Sequence, residues 1–171
     1  MCSVVGYVGA GASSVPIFEG LSRLEYRGYD SAGFACLTAR DGRLACVKTR
    51  GSMQELKLKL SESPIDGAVG IGHTRWSTHG APTEENAHPH FDCQRTLSVV
   101  HNGIIENHMQ LRHSLEGRGH FFVSQTDTES LAHLLEEAFV GAVSLAGAVT
   151  LVVSQLRGAY AFVALSQSYP D

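Results

Sequence analysis

The chain has 171 residues, of which 43% are hydrophobic and 18% charged, and its formal net charge is −4. This composition is typical of a globular protein with one sizeable core. The negative charge and scattered basic residues argue against nucleic-acid binding, and no apolar run is long enough to span a membrane. The four cysteines form no CxxC pair and no leader sequence is recognisable, so we expect reduced thiols in the cytoplasm.

The first half of the sequence predicts strands that alternate with two helices. Val4–Val8 is an apolar, β-branched run typical of a buried strand, and Ser14 predicts the cap of a helix. Asp41-Gly42 separates two apolar runs and predicts a β-hairpin. Ser52 and Glu55 have the spacing of a capping box at the start of the second helix.

The second half predicts three more strands and further helices. Ala68–Gly72 and Leu97–Val100 are apolar strands, each followed by polar residues, and Ala159–Leu165 is the last strand. Thr126–Glu129 predicts a capping box at the start of an amphipathic helix, and residues 143–156 predict an apolar helix. This grouping predicts antiparallel sheets covered by helices, an α+β layered fold.

The segment GHTRWSTHG, residues 72–80, combines the most polar chemistry in the chain. Polar groups at the end of a strand, followed by glycine, commonly form the floor of a binding site. Arg75 offers a planar pair of N–H donors for a carboxylate, with Thr78 and His79 beside it. The structural alternative stays open, in which Arg75 pairs with a surface acid and Trp76 fills the core.

Asn102 and Gly103 follow another apolar strand, at a place where Asn-Gly normally marks a turn. The pair also offers a side-chain N–H and an accessible backbone N–H, two donors that together build an oxyanion hole for acyl transfer. Asp127 lies in the first turn of its predicted helix. A carboxylate there complements the helix dipole or receives a substrate ammonium group, and nothing local separates the two roles.

Nine histidines are unusually many, and several lie close together in the sequence. His73, His79, His88 and His90 with Cys93 present the ligand types that zinc binds. Their spacing fits no common zinc pattern. We therefore interpret this segment as a polar loop beside a site, and the sequence predicts neither a metal nor a cofactor.

Cys2 is a candidate nucleophile for a reaction in which the residues described above would take part. Once the initiator methionine is removed, its thiol, with a pKa near ~8.5 in small peptides, stands beside a free amine that titrates near ~7.7–8.0. A nucleophile beside a base poised near neutral pH is what covalent catalysis needs. Asn102 and Gly103 would form the oxyanion hole. Arg75 and Asp127 would hold a carboxylate and an ammonium group, and glutamine has both together with a carboxamide.

Five segments resemble the class II glutamine amidotransferases, whose glutaminase domain is an N-terminal-nucleophile hydrolase. Within that class they are most similar to the glutamine–fructose-6-phosphate aminotransferases. The matching segments are LEYRGYDSAG (24–33), GHTRWSTHG (72–80), HPH (88–90), HNGIIEN (101–107) and SQTDTE (124–129). Amidophosphoribosyltransferase and asparagine synthetase share the N-terminal cysteine but do not usually combine the first two segments.

The resemblance implies a four-layer αββα sandwich and a role for each matching residue. Cys2 would attack the side-chain amide of glutamine, and Asn102 and Gly103 would hold the oxyanion. The residues that would bind glutamine or close the site over it are Arg75, Trp76, Thr78, His79 and Asp127. Arg27 would lie close to the nucleophile, and His88 would belong to the loop that backs the site.

Two features depart from the family pattern. Ser3 stands where the family usually has glycine, so its side chain is expected to crowd the nucleophile. Residues 1–171 are interpreted as a glutaminase domain that ends before the last strands of the family's fold and lacks the half acting on fructose 6-phosphate. A synthase domain is therefore the expected partner, and an exposed sheet edge would favour a homodimer.

Three alternatives remain at this stage: a glutamine-binding regulatory module without turnover, the glutaminase domain of another class II amidotransferase, and a zinc-binding domain.

Overall fold

The computed structural model describes residues 2–27, 29–77, 80–141 and 144–170. Within these ranges the strands are β1 (Ser3–Val8), β2 (Ser31–Leu37), β3 (Leu44–Arg50), β4 (Val69–Arg75), β5 (His90–Phe91), β6 (Leu97–Ile105) and β7 (Gly158–Ser166). The helices are α1 (Ser14–Arg23), α2 (Met53–Glu62), α3 (His108–Gly117), α4 (Asp127–Gly141) and α5 (Leu145–Val153), and Glu25–Arg27 forms a short 3-10 helix. None of these helices is long and apolar enough to cross a membrane.

The strands form two antiparallel sheets that pack face to face. The first sheet has the order β1-β4-β2-β3, and the second has the order β5-β6-β7. Apolar side chains fill the space between the sheets, among them Ala35, Leu37, Ile71, Val100 and Leu165. Helices α1 and α2 cover the outer face of the first sheet, and α3, α4 and α5 cover that of the second. The predicted α+β fold with four αββα layers is confirmed.

Most local signals act as predicted. β2 and β3 form the hairpin around Asp41-Gly42, where Gly42 has a φ of +68°. Ser52 and Glu55 form the capping box of α2. The N-cap of α1 lies one residue before Ser14, whose hydroxyl donates instead to the carboxylate of Asp66 at 2.6 Å.

The start of α4 differs in detail from the predicted capping box. The helix begins at Asp127, as expected from the sequence. The Glu129 carboxylate accepts hydrogen bonds from the backbone N–H groups of Val123 and Ser124, both at 2.7 Å, and the Thr126 N–H donates to a side-chain hydroxyl. Glu129 thereby fixes the chain that leads into α4, and with it the position of Asp127.

Two strands are longer than predicted, and they carry polar residues into the sheets. β4 does not end at Gly72 but continues through 73–75, which are buried. β6 continues through Asn102-Gly103 to Ile105, so the alternative in which Asn-Gly marks a turn does not hold. The reason is tertiary: β4 lies between β1 and β2, and β7 pairs with β6 along its whole length. These neighbours supply backbone hydrogen-bond partners that sequence patterns do not reveal.

Candidate active site

Cys2 lies directly before β1, beside the end of β4. The two strands pair from Ser3 opposite Thr74 to Val8 opposite Val69, which holds the N-terminal segment in the sheet. The Trp76 backbone N–H donates to Cys2 Sγ at 3.2 Å. The strand therefore fixes the position of a thiol that would otherwise fray at a chain end.

Asn102 reaches the same point from the second sheet. Its Nδ2 donates to the backbone oxygen of Cys2 at 3.3 Å, while its Oδ1 lies 3.1 Å from His73 Nε2. His73 Nε2 also lies 3.0 Å from the backbone oxygen of His101. Because both neighbours are acceptors, His73 Nε2 carries the ring proton. His73 thus turns the N–H₂ end of the Asn102 amide towards Cys2.

Gly103, next to Asn102, has a backbone that only glycine adopts without strain. Its φ is +114°, and a Cβ at this position would lie 2.1 Å from the backbone oxygen of Ala159. The residue is exposed, whereas Asn102 is half-buried. A substrate can therefore approach this pair from the open side of β6.

Arg75, the last residue of β4, organises the loop that follows it. Its guanidinium is buried and donates to Ser77 Oγ at 3.1 Å and to the backbone oxygens of Gly80 at 3.3 Å and Ala81 at 3.4 Å. Burial lowers the pKa of Arg75, and the nearby carboxylates of Asp30 and Asp127 oppose this shift. Arg75 is thus a buried cation within electrostatic range of Cys2.

Asp30 is a residue that the sequence interpretation did not single out, although it lies in the LEYRGYDSAG segment. Its backbone N–H donates to Arg75 O at 2.8 Å, and its carboxylate accepts the Ser77 N–H at 2.7 Å. It therefore fixes the chain on both sides of Trp76. Trp76 itself is 53% exposed, so the alternative in which it fills the core is wrong.

Asp127 joins the start of α4 to the end of β6. Its Oδ2 accepts the Ile105 N–H at 2.9 Å, and its Oδ1 lies 3.9 Å from His101 Nδ1. The carboxylate is buried at the N-terminus of the helix, where the helix dipole favours a negative charge. Asp127 is also within electrostatic range of Arg75.

The sequence pattern described as "Glutamine amidotransferase domain" matches residues 73–169, which is more than half of the chain. The chain belongs to this glutamine amidotransferase family.

Relatives of this amidotransferase chain are similar along its whole length. It is 50% identical over 171 residues to a glutamine–fructose-6-phosphate aminotransferase [isomerizing] of Clostridium acetobutylicum, and 52% identical over 172 residues to that of Streptomyces coelicolor. Each match covers 100% of this chain and 28% of the relative, so the chain spans little more than a quarter of the length of these curated relatives. The resemblance to class II amidotransferases is confirmed.

Solved structures agree with this placement. The glutamine phosphoribosylpyrophosphate amidotransferase of B. subtilis, complexed with ADP and GMP, superposes with a TM-score of 0.82 at 31% identity. That match covers 98% of this chain and 35% of the other. A second structure, the allosteric regulatory enzyme of purine biosynthesis, has a TM-score of 0.83 at 32% identity, covering 98% of this chain and 36% of that one.

Beneath Asn102, the amidotransferase fold packs a buried imidazole cluster, which consists of His73, His88, His90 and His101. The rings of His73 and His88 stack with centroids 4.0 Å apart and planes 11° from parallel. The His101 N–H donates to His88 Nδ1 at 3.2 Å, so His88 carries its proton on Nε2, which lies 3.3 Å from Thr128 Oγ1.

Burial sets the charge of this cluster. Desolvation lowers the pKa of all four rings, that of His73 to about 3. The rings are therefore neutral at physiological pH. The cluster gives Asn102 a rigid, uncharged support, and His88 lies directly behind His73 in it.

Ser3, the departure from the family pattern, does not strain the backbone. It is the first residue of β1 and has extended conformation. Its side chain is buried, and its hydroxyl has no hydrogen-bond partner among the residues that the structure describes. The consequence of Ser3 is therefore a buried hydroxyl oxygen next to Cys2 that has no hydrogen-bond partner among the described residues.

The structure describes the remaining predicted site residues only in part. Thr78 and His79 lie outside the described residues, and of Arg27 the structure describes the backbone, at the end of the 3-10 helix, but not the side chain. Of the residues considered as zinc ligands, His73, His88 and His90 are in the buried imidazole cluster, and His79 lies outside the described residues. Cys93 contacts His120, His133 and Glu136 instead.

Proposed function

We propose that this chain is the glutaminase part of a glutamine–fructose-6-phosphate aminotransferase, in which Cys2 hydrolyses the side-chain amide of glutamine. One observation carries the proposal: the Cys2 thiol is held by the Trp76 N–H, and the Asn102 amide, oriented by His73, donates to the backbone oxygen of Cys2. A positioned nucleophile with a positioned N–H donor is the minimum for acyl transfer.

The reaction proceeds in two steps. The Cys2 sulfur attacks the amide carbon as its proton passes to the α-amine, free once the initiator methionine is removed. Asn102 Nδ2 and the Gly103 N–H hold the oxyanion that forms. The intermediate collapses to a thioester and ammonia, which takes the proton from the amine. Water then hydrolyses the thioester, releasing glutamate and restoring the thiol.

The remaining residues hold the substrate. Arg75 binds the α-carboxylate, with Thr78 and His79 beside it, and Asp127 binds the α-amino group. The buried charges of Arg75 and Asp127, which lie within electrostatic range of each other, support this assignment. The exposed Trp76 closes the site.

Two supporting residues lie around this centre in the proposal. Arg27 lies near the nucleophile, and His88 backs the site through its stack on His73.

The acceptor of the ammonia is proposed from the relatives. Their names give fructose 6-phosphate as the sugar that is aminated, and each is much longer than this chain. We take residues 1–171 as the glutaminase domain and a synthase domain as its partner, in the cytoplasm, where thiols stay reduced. By itself the domain produces glutamate and free ammonia. We also propose that two copies of the chain form a homodimer.

The test is glutamate release from glutamine by the purified chain. Cys2→Ala is expected to lower the rate at least ~10³-fold, because no other group can form the thioester. The matched control is Cys46→Ala, which removes a half-buried thiol on β3 and leaves the rate within threefold of the parent, about 0.7 kcal/mol. A Cys2→Ala variant with more than a tenth of the parent rate contradicts the proposal. So does glutamine binding without glutamate release.

A further inference from the structure

A second group of chemically reactive side chains lies outside the glutaminase site. It consists of Cys93, His120, His133 and Glu136, called here the Cys93 cluster. One ligand atom from each residue lies within 4.8 Å of the others. No step of the proposed glutaminase reaction uses these residues.

The spacing of these atoms fits a tetrahedral metal ion. Cys93 Sγ lies 3.5 Å from His120 Nδ1 and 3.6 Å from His133 Nδ1, and Glu136 Oε2 lies 3.1 Å from each of these nitrogens. A zinc ion bound at ~2.3 Å to sulfur and ~2.0–2.1 Å to nitrogen keeps its ligand atoms about 3.3–3.6 Å apart. Four edges of the tetrahedron are therefore already close to their bound lengths.

The cluster is assembled from three separate segments. His133 and Glu136 lie one turn apart on the same face of α4. Cys93 follows β5, and His120 lies between α3 and α4. A metal ion here would join the β5–β6 connection and the segment before α4 to the helix itself, as structural zinc sites do.

His120 has the outer partner of a metal-bound imidazole, whereas His133 Nε2 makes no hydrogen bond among the described residues. His120 Nε2 lies 3.1 Å from Glu137 Oε1, and the second oxygen of Glu137 accepts from Arg118 at 2.9 Å. His133 Nε2 lies 4.0 Å from Glu129 Oε1. A carboxylate beyond the ring fixes the proton on the outer nitrogen and turns the inner lone pair towards the metal.

An ion can reach the cluster from solvent. Cys93 is exposed and Glu136 is partly exposed, whereas His133 is buried. A cavity of about 250 Å³ is lined by Cys93 and His133, among others. Soft sulfur and imidazole donors with one carboxylate favour zinc over calcium or magnesium.

We propose that the Cys93 cluster binds one zinc ion as a four-ligand structural site. Binding replaces the thiol proton of Cys93, which is released to solvent, with a sulfur–metal bond. This departs from the prediction of no metal, which was based on a different set of histidines. The inference does not depend on the proposed glutaminase activity.

The test is equilibrium dialysis of the 171-residue chain against zinc chloride, followed by metal analysis. Every protein carries Cys2→Ala, because an N-terminal amine and thiol together chelate zinc. We expect one zinc per chain. Cys93→Ser and Glu136→Gln should each weaken zinc binding at least ~100-fold, beyond the ~10–100-fold typical of changes to outer partners. The matched controls, Cys46→Ser and His113→Gln, should bind zinc like the parent.

A second measurement reports the geometry and ligands of the site in the parent chain. Cobalt(II) added to the parent chain should give the visible bands of a tetrahedral site and a thiolate-to-cobalt charge-transfer band, which Cys93→Ser removes. Zinc should also raise the melting temperature of the parent. The proposal is overturned by a chain that retains no zinc after dialysis. It is equally overturned by zinc binding that survives both ligand substitutions, or by a cobalt spectrum without the thiolate band.

Discussion

Two groups of histidines in this molecule show how the surroundings of one side-chain type set what it does. The buried imidazole cluster under Asn102 is packed ring against ring, with hydroxyl, amide and backbone groups as its hydrogen-bond partners. The Cys93 cluster also holds imidazoles, but each faces a carboxylate. Burial keeps the first group neutral even though Asp127 lies 3.9 Å from His101, whereas the carboxylates around the second group favour a metal ion.

The difference is one of function as well as charge. Neutral rings have a fixed donor and a fixed acceptor, so His73 can orient an amide in only one way. In the Cys93 cluster, the ring nitrogens of two histidines and the cysteine thiol face one point, where an ion can bind between them. The first arrangement positions a reacting group, and the second is suited to joining chain segments.

Among changes that test this comparison, the largest expected effect comes from breaking the link between the buried imidazole cluster and Cys2. Asn102→Ala removes the donor that His73 orients and should lower kcat for glutamine hydrolysis by ~10²–10³-fold. Steady-state glutamate assays measure it, with Gln110→Ala, an exposed change on α3, as the control. A loss of less than threefold would remove Asn102 from the oxyanion hole.

Because the rings of this cluster are neutral when buried, the protein should become less stable as the pH falls. The folded-state pKa values of its histidines lie below the unfolded value near ~6.5, so the unfolded chain binds more protons and stability falls as pH drops below that value. As the pH falls, each such histidine lowers the free energy of unfolding by up to about 1.4 kcal/mol per pH unit. For His73 this loss continues down to its pKa of about 3.

Urea unfolding between about pH 6.5 and pH 5 measures this slope, because carboxylates titrate mostly below that range. His90→Gln should reduce the slope by about one histidine's share, ~1.4 kcal/mol per pH unit. The exposed His113→Gln is the control and should leave the slope unchanged. Equal slopes for the parent and His90→Gln would show that His90 is not neutralised by burial.

The smallest effect concerns the unsatisfied hydroxyl of Ser3. Ser3→Ala removes a buried oxygen without a partner among the described residues, and we expect the free energy of unfolding to rise by about 1 kcal/mol. Urea denaturation at neutral pH measures the change. The matched control is Ser61→Ala, on the exposed face of α2. A fall in stability would mean that the hydroxyl has a partner in solution and that Ser3 supports the nucleophile.

Local signals in the sequence predicted much of the fold. The Asp41-Gly42 hairpin and the Ser52 capping box depend on residues a few positions apart, so propensity decides them. The turn that Asn-Gly normally marks does not form at Asn102-Gly103, because the strand partner, β7, comes from the other end of the domain. A local pattern cannot show which backbone groups are paired at long range.

In the site too, features carried by single residues could be predicted from the sequence, whereas long-range contacts could not. Cys2, Asn102 and Asp127 could be singled out because each has an unusual chemical group at the end of an apolar element. The orienting contact from His73 could not, since it requires that β4 and β6 face each other across the two sheets. The Cys93 cluster was missed for the same reason: Cys93 and Glu136 are 43 residues apart and meet only when α4 packs beside β5.

The central claim is that an N-terminal Cys2 is the nucleophile, and intact-mass measurement after incubation with a glutamine-mimicking electrophile tests it most directly. The account predicts one adduct per chain, located on Cys2, in protein whose mass shows that Met1 has been removed. Excess glutamine should protect against labelling. A labelled chain that retains Met1, or an adduct on Cys93 or Cys46 in place of Cys2, would contradict it.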